Sequence, residues 1–242
     1  RNMDIIEQFV ELCNNGEYQN AYDLLSNDCK EEVFNTVDQF KVDYFDKIFS
    51  TSKTYELELW YSNSGNYTYR IIYYEDNILS TGQISSSNNM EDYITISTDE
   101  NWNTKLNISG FINKDIINKS EEKQELTITV DDKISYRSYE IYNFTIENKT
   151  DKTIILSEGN NGNDICLIDS NEVEYDSLIN EVSQTDLELV PYSKKTISIK
   201  FNKIYDEYRE IEQIAFKNII LDKDDFDKNN ENAAKVRLDV VI

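Results

Sequence analysis

The apolar residues of this chain keep helical spacing as far as Phe49 and then recur at every second position for the rest of the sequence. That change of period imposes an order on the fold, with helices first and a much longer run of strands after them. Ile6, Phe9, Val10 and Cys13 fall on one helical face, with Asn2 as its N-cap and Gly16 where a left-handed C-terminal residue is needed. EYQNAYDLLS predicts a second helix with Ala21, Leu24 and Leu25 inward. Thr36 and Gln39 make a capping-box pattern ahead of a third, whose stripe is Val37, Phe40, Tyr44, Phe45, Ile48 and Phe49.

In TYELELWY the alternation sets Tyr55, Leu57, Leu59 and Tyr61 against Glu56, Glu58 and Trp60. NSGN, with Gly65, joins it to YTYRIIYY and predicts a hairpin. ILSTGQ, DYITIS and TKLNISGFI supply further strands, so residues 1–118 read as α+β, three helices on one face of an antiparallel sheet. SEEKQ is polar and reads as a linker. Residues 119–242 then carry ELTITV, SYEIYNFTIEN, TIILSE, DICLID, DLELV, TISIKF, IAFKNIIL and KVRLDVVI, the pattern of an all-β sandwich, with a turn of helix expected in IYDEYREIEQ.

Composition narrows the chemistry. Of 242 residues 47 are acidic and 24 basic, a formal charge of −23, which repels phosphate backbones and anionic membranes and makes nucleic acid an unsuitable partner. The 39% hydrophobic and 12% aromatic content is enough for packed cores. With no histidine, Ser-His-Asp and Cys-His nucleophiles and His-ligated metals are excluded. Three cysteines without a CxxC pair cannot build a zinc site, and no phosphate-cradling or nucleophile-elbow glycine motif occurs. Asp/Glu pairs, Lys and Tyr are the catalytic types that remain, and neither a metal nor a cofactor is expected.

No apolar run reaches the ~18 residues of a membrane span. The chain opens on Arg1, which fits either a removed signal or anchor or a trimmed cytosolic start. Its richness in Asn, Lys, Ile, Asp and Tyr suits an AT-rich bacterial genome, which makes the sequons at Asn66 and Asn143 chance products.

The segments NNGEYQNAYDLLSNDCK, DQFKVDYFDKIF, YYEDNILSTGQ and EDYITI together resemble the bacterial nuclear-transport-factor-two-like (cystatin-like cone) family over residues 1–118. ENKTDKTIIL and LVPYSKKTISIKF resemble the immunoglobulin-like sandwich attached to exported bacterial lipoproteins, over residues 119–242. The first resemblance implies three helices closing over a strongly curved sheet. Its relatives include enzymes, ligand carriers and assembly modules, so it implies no single activity.

Four residues are candidates for lining a pocket inside such a cone: Tyr22, Trp60, Tyr74 and Asp92. An Asp base beside a Tyr donor needs no histidine. The competing reading, that these side chains fill the interior, has the larger weight in a chain with 17 tyrosines. Cys13 and Cys29 stand on or just past the first two helices. They form either a disulfide, worth ~3 kcal/mol if unstrained, or two buried thiols; Cys166 reads as a buried strand thiol. DKDDFDKNNEN (222–232) fits an EF-hand only in its first positions and reads as a solvated loop, as GNNGND (159–164) reads as a turn. The pairs Glu56/Glu58 and Glu207/Glu210 read as exposed.

These features lead to the expectation of a non-enzymatic, extracytoplasmic bacterial protein, tethered through a segment preceding Arg1 and acting by contact with a protein partner or a second copy of itself. The alternatives are a small-molecule binder or a histidine-free isomerase or hydrolase using the cone pocket, and an adhesion module whose sandwich binds a host or wall ligand.

Overall fold

The computed structural model describes residues 3–63, 65–75, 89–203, 210–229 and 232–242. It is a mixed α+β structure in which a few short helices accompany many antiparallel strands in curled sheets. The chain divides into two compact units, Arg1–Asn113 and Lys114–Ile242.

In the first unit α1 (Asp4–Asn14) buries Ile5, Ile6, Phe9, Val10 and Cys13, the face expected from the spacing. Its end is a Schellman turn: Gly16 (φ +76°) donates to the Cys13 carbonyl and Glu17 to that of Leu12. Met3 stands at the N-cap without a side-chain bond, and the expected cap Asn2 lies outside the described residues. α2 (Tyr18–Asp23) buries Ala21 and Tyr22, with Leu25 buried just past its end and Leu24 only half-buried. A helix absent from the expected set, α3 (Asn27–Glu32), follows, capped by Ser26 Oγ, which accepts from Cys29 N–H. α4 (Val37–Phe40) starts at Thr36 as the capping pattern predicts, Thr36 Oγ1 accepting from Gln39 N–H. It continues through a π-helical turn, Lys41–Phe45, and a closing turn, Asp46–Ile48. The residue that a π turn adds brings Tyr44, Ile48 and Phe49 to the buried side with Phe40.

The sheet beneath has the order β1 (Lys53–Asn63), β2 (Asn66–Glu75), β3 (Met90–Thr98), β4 (Thr104–Asn107), all antiparallel. β1 and β2 form the predicted hairpin, paired from Lys53↔Glu75 to Asn63↔Asn66, with a bulge between Leu59 and Tyr61. The bulge puts Trp60 out of register, which the plain alternation did not foresee. The expected strand ILSTGQ (78–83) lies outside the described residues.

Phe9, Phe34, Phe40, Tyr44 and Phe49 interlock over the sheet with ring centroids 5.6–6.5 Å apart. The two sheet edges end differently. On β4 the Leu106 N–H donates to the Leu24 carbonyl and its carbonyl accepts from Ser26 N–H, so the α2–α3 connection closes that edge. On β1 the Asn14 side chain does this at Lys53 alone, Nδ2 donating to the carbonyl (2.8 Å) and Oδ1 accepting from the N–H (2.8 Å).

The second unit has two sheets. One has the order β12 (Lys194–Asn202), β7 (Tyr139–Asn148), β6 (Leu126–Tyr136), β5 (Phe111–Glu122). In the other, β13 (Ile211–Ile220) pairs with β14 (Lys235–Val241) on one side. Its second side holds β9 (Ile165–Asp169) with β10 (Glu174–Asp176), and β8 (Ile154–Ile155) with β11 (Glu188–Leu189). Inward residues of both sheets, among them Ile128, Phe144, Leu167, Ile199, Phe216 and Leu238, form one core.

Asn148 is buried in the second unit. Its Nδ2 donates to the carbonyls of Lys152, Leu189 and Val190, and its Oδ1 accepts from Thr150 N–H and Oγ1. The Asn148-Lys149-Thr150 turn is therefore a structural node.

Two expectations need correction. SEEKQ is no linker: β5 runs through Glu122, and Lys123 N–H donates to the Leu126 carbonyl to turn into β6. The division into units falls earlier, inside β5. The 222–232 segment is not simply a loop, since α6 (Lys223–Lys228) occupies it, capped by Asp222 and preceded in the chain by the short α5 (Gln184–Leu187). Of IYDEYREIEQ, residues 204–209 lie outside the described set. Among the described residues no helix is long and apolar enough to cross a membrane.

Candidate functional site

Asp92 is the buried acid of the first unit. On β3 it stands opposite Ile71, facing the helices with Ile71, Tyr73 and Ile94, and is 8% exposed. Both carboxylate oxygens are bonded twice. Oδ2 accepts from Tyr44 Oη (2.6 Å) and Ser109 N–H (2.9 Å), and Oδ1 from Tyr93 N–H (2.7 Å) and Gly110 N–H (3.1 Å). Tyr44 Oη also lies 3.1 Å from Tyr73 Oη.

The donors come from three places: the π turn after α4, β3 itself, and a turn after β4 in which Ser109 (φ 59°) and Gly110 (φ 73°) are both left-handed. The successive N–H groups of this turn both point at the one carboxylate, as backbone turns do when they hold an anion. Burial pushes the Asp92 carboxyl up to about 6, although the Tyr44 hydroxyl and the three N–H bonds act the other way. Burial, with the neighbouring Asp92 charge, holds Tyr44 and Tyr73 well above the ordinary phenol value.

Of the four pocket residues expected from the sequence, the structure does not bring the set together. Tyr22 donates to the Phe34 carbonyl (2.7 Å) and packs its ring on Phe40. Tyr74 follows Tyr73 on β2, so it faces away from Asp92, and its hydroxyl donates to Glu56 (3.1 Å). Trp60 sits in the β1 bulge, edge-on to Tyr93, again on the face opposite Asp92. The partner of Asp92 is Tyr44, which its place in the α4 stripe marked only as core. No sequence signal distinguished it from the other apolar positions there.

Cys13 and Cys29 are separate buried thiols rather than a disulfide, and burial pushes Cys29 up to about 12. Cys166 is a buried free thiol of β9, raised to about 11 by burial.

A second feature is open. Between α1 and the start of β1 runs a groove of about 560 Å³ lined by Glu7, Val10, Glu11, Asn14, Lys53 and Tyr55, among others. Glu7 and Glu11 are exposed, while Lys53 is buried, its Nζ donating to Thr51 Oγ1 and lying 3.8 Å from Glu75. Beyond it, Glu56 and Glu58 are exposed on the outer face of β1.

Other polar candidates are engaged in the fold. Asp164 in GNNGND accepts from Ser157 Oγ and Asn218 Nδ2, and Asp225 accepts from Nδ2 of Asn229, the residue that ends α6. Glu207 and Asn230 lie outside the described residues. Among the described residues no group of three or more Cys, Asp and Glu side chains is placed to hold a metal ion.

No family model and no curated protein matches the chain. Among solved structures it is similar to a conserved hypothetical protein from Bacillus anthracis, at 15% identity, over 41% of this chain and 95% of that one, with a TM-score of 0.28.

Proposed function

We propose that this chain is a non-enzymatic interaction or assembly protein of a bacterial cell envelope. In this reading the first unit is a nuclear-transport-factor-two-like cone and the second an immunoglobulin-like sandwich. The observation that carries it is the saturation of Asp92. A general base needs a lone pair within reach of a substrate proton, and the four bonds to Asp92 direct its oxygens to the Ser109–Gly110 turn, the Tyr93 amide and Tyr44. The carboxylate therefore ties the turn after β4 to the helical layer. The first unit exposes Glu7, Glu11, Glu56 and Glu58, in keeping with a whole-chain charge of −23 that steers a basic partner.

The rival reading, a small-molecule binder or histidine-free enzyme, would use the raised Asp92 carboxyl with Tyr44 as donor. A random-peptide display selection against the full chain, run beside a small-molecule thermal-shift screen, separates the two. The interaction reading expects enriched basic peptides whose binding weakens with salt. Failure to enrich any peptide overturns it, and so does a small molecule that stabilises the protein but not its Tyr44→Phe variant.

A further inference from the structure

We infer that the free edge of β1, from Tyr55 to Leu59, is a strand-addition site for an extended peptide segment that alternates basic and aliphatic residues. This rests on the interaction reading and names its surface and the chemistry of the partner.

The backbone decides where a strand can add. In an antiparallel ladder the N–H and C=O of one residue both face the partner strand, and those of the next both face away. Lys53 gives its N–H and C=O to the Asn14 side chain, so its groups face away from β2 although it is registered with Glu75. By the same parity Tyr55, Leu57 and Leu59, registered with Tyr73, Ile71 and Tyr69, turn their peptide groups to the free edge. The Asn14 amide closes that edge at one end and the bulge after Leu59 ends it at the other. Between them lies a short row of peptide groups that bond no other strand among the described residues. On β4, by contrast, the chain covers its own edge.

Side chains select the occupant. On the helix-facing side Leu57 is half-buried and Leu59 is 58% exposed, so alternate residues of an added strand would meet apolar surface there. On the other side they would stand beside Glu56, which accepts from Tyr74 Oη, and Glu58, which lies 3.5 Å from Arg70 and is still 72% exposed, and a segment extended past Tyr55 reaches the groove of Glu7 and Glu11. Opposite charges across a strand pair stabilise it and like charges oppose it. A second copy of β1 is therefore the wrong occupant. Any antiparallel register that engages two or more of Tyr55, Leu57 and Leu59 sets a glutamate opposite a glutamate. Main-chain bonds supply affinity in strand addition and alternate side chains supply selection, and here both ask for a segment patterned basic, aliphatic, basic.

The test measures fluorescence anisotropy of a labelled peptide of alternating lysine and valine against the full chain, beside the isomer that has its lysines and valines in separate blocks. The alternating peptide is expected to bind about tenfold or more tightly than the block isomer, and to lose that advantage when its edge-facing amides are N-methylated. Leu57→Pro removes one outward N–H without touching the β2 ladder and should weaken binding with an unchanged circular dichroism spectrum. Glu56→Gln with Glu58→Gln should weaken it and flatten its salt dependence.

Equal binding of the two isomers, or indifference to N-methylation, overturns the proposal, and the N-methylated peptide gives that answer even if Leu57→Pro fails to fold. Display-selected peptides that bind without competing with the alternating peptide leave the interaction reading standing and remove the β1 assignment. If no peptide of any kind binds, both fall.

Discussion

Asp92 shows how a single side chain can look catalytic and still be structural. Desolvation favours its neutral form, and four donors favour the anion without fully offsetting that cost. Because its pKa is higher folded than unfolded, its contribution to stability is complete below pH 3.8 and is lost as the pH rises through about 6. The stability advantage of the native chain over Asp92→Asn should therefore shrink by about 2 kcal/mol between about pH 4 and pH 7, followed by urea unfolding. A constant difference across that range would show that the carboxyl titrates normally. The sequence marked Asp92 as a candidate but grouped it with Tyr22 and Tyr74. Tyr44 lies 48 positions away on a helix, and that meeting depends on packing.

The hairpin at β3–β4 makes a similar point one level up. Asp99 Oδ1 accepts from the N–H groups of Asn101 and Asn103, bonds that hold its carboxyl below the usual range. They fix a tight turn in which Trp102 adopts φ 63° with its side chain 88% exposed. A bulky residue in the left-handed region is strained, and Asn tolerates it. Trp102→Asn should accordingly raise stability by about 0.5–1 kcal/mol in chemical denaturation, and a loss of stability would mean that the ring makes contacts worth more than the strain.

Elements whose formation is local were legible: α1 with its Gly16 end, the Thr36 cap of α4 and the Gly65 hairpin all follow from neighbouring residues. α3, β10 and α6 were missed because each is too short to display a period. The β1 bulge was missed because alternation continues through it in sequence and shifts only against a partner strand. SEEKQ was misread for the opposite reason. Its charge marks an edge strand and turn facing water, and polarity alone does not separate that from a linker.

At the scale of the molecule, net charge acts in a way that no single contact shows. A formal charge of −23 repels itself in the compact state. Going from about 10 mM to 150 mM salt shortens the screening length from about 30 Å to about 8 Å, so the melting temperature should rise over that range in scanning calorimetry. A melting temperature that stays level or falls would mean that local ion pairs such as Lys217–Glu174 outweigh the net repulsion.

In the first unit the order of helices before strands, along the rest of the chain the many short antiparallel strands, and the absence of histidine chemistry were determined by the sequence alone, because periodicity and residue type are local properties. Tertiary structure decided that Asp92 meets Tyr44, that Cys13 and Cys29 are free thiols, and that among the described residues β1 keeps one edge unpaired by another strand while β4 is closed at Leu106. Each of those depends on which distant backbone comes to lie alongside, and hydrophobic burial sets that for the whole unit at once.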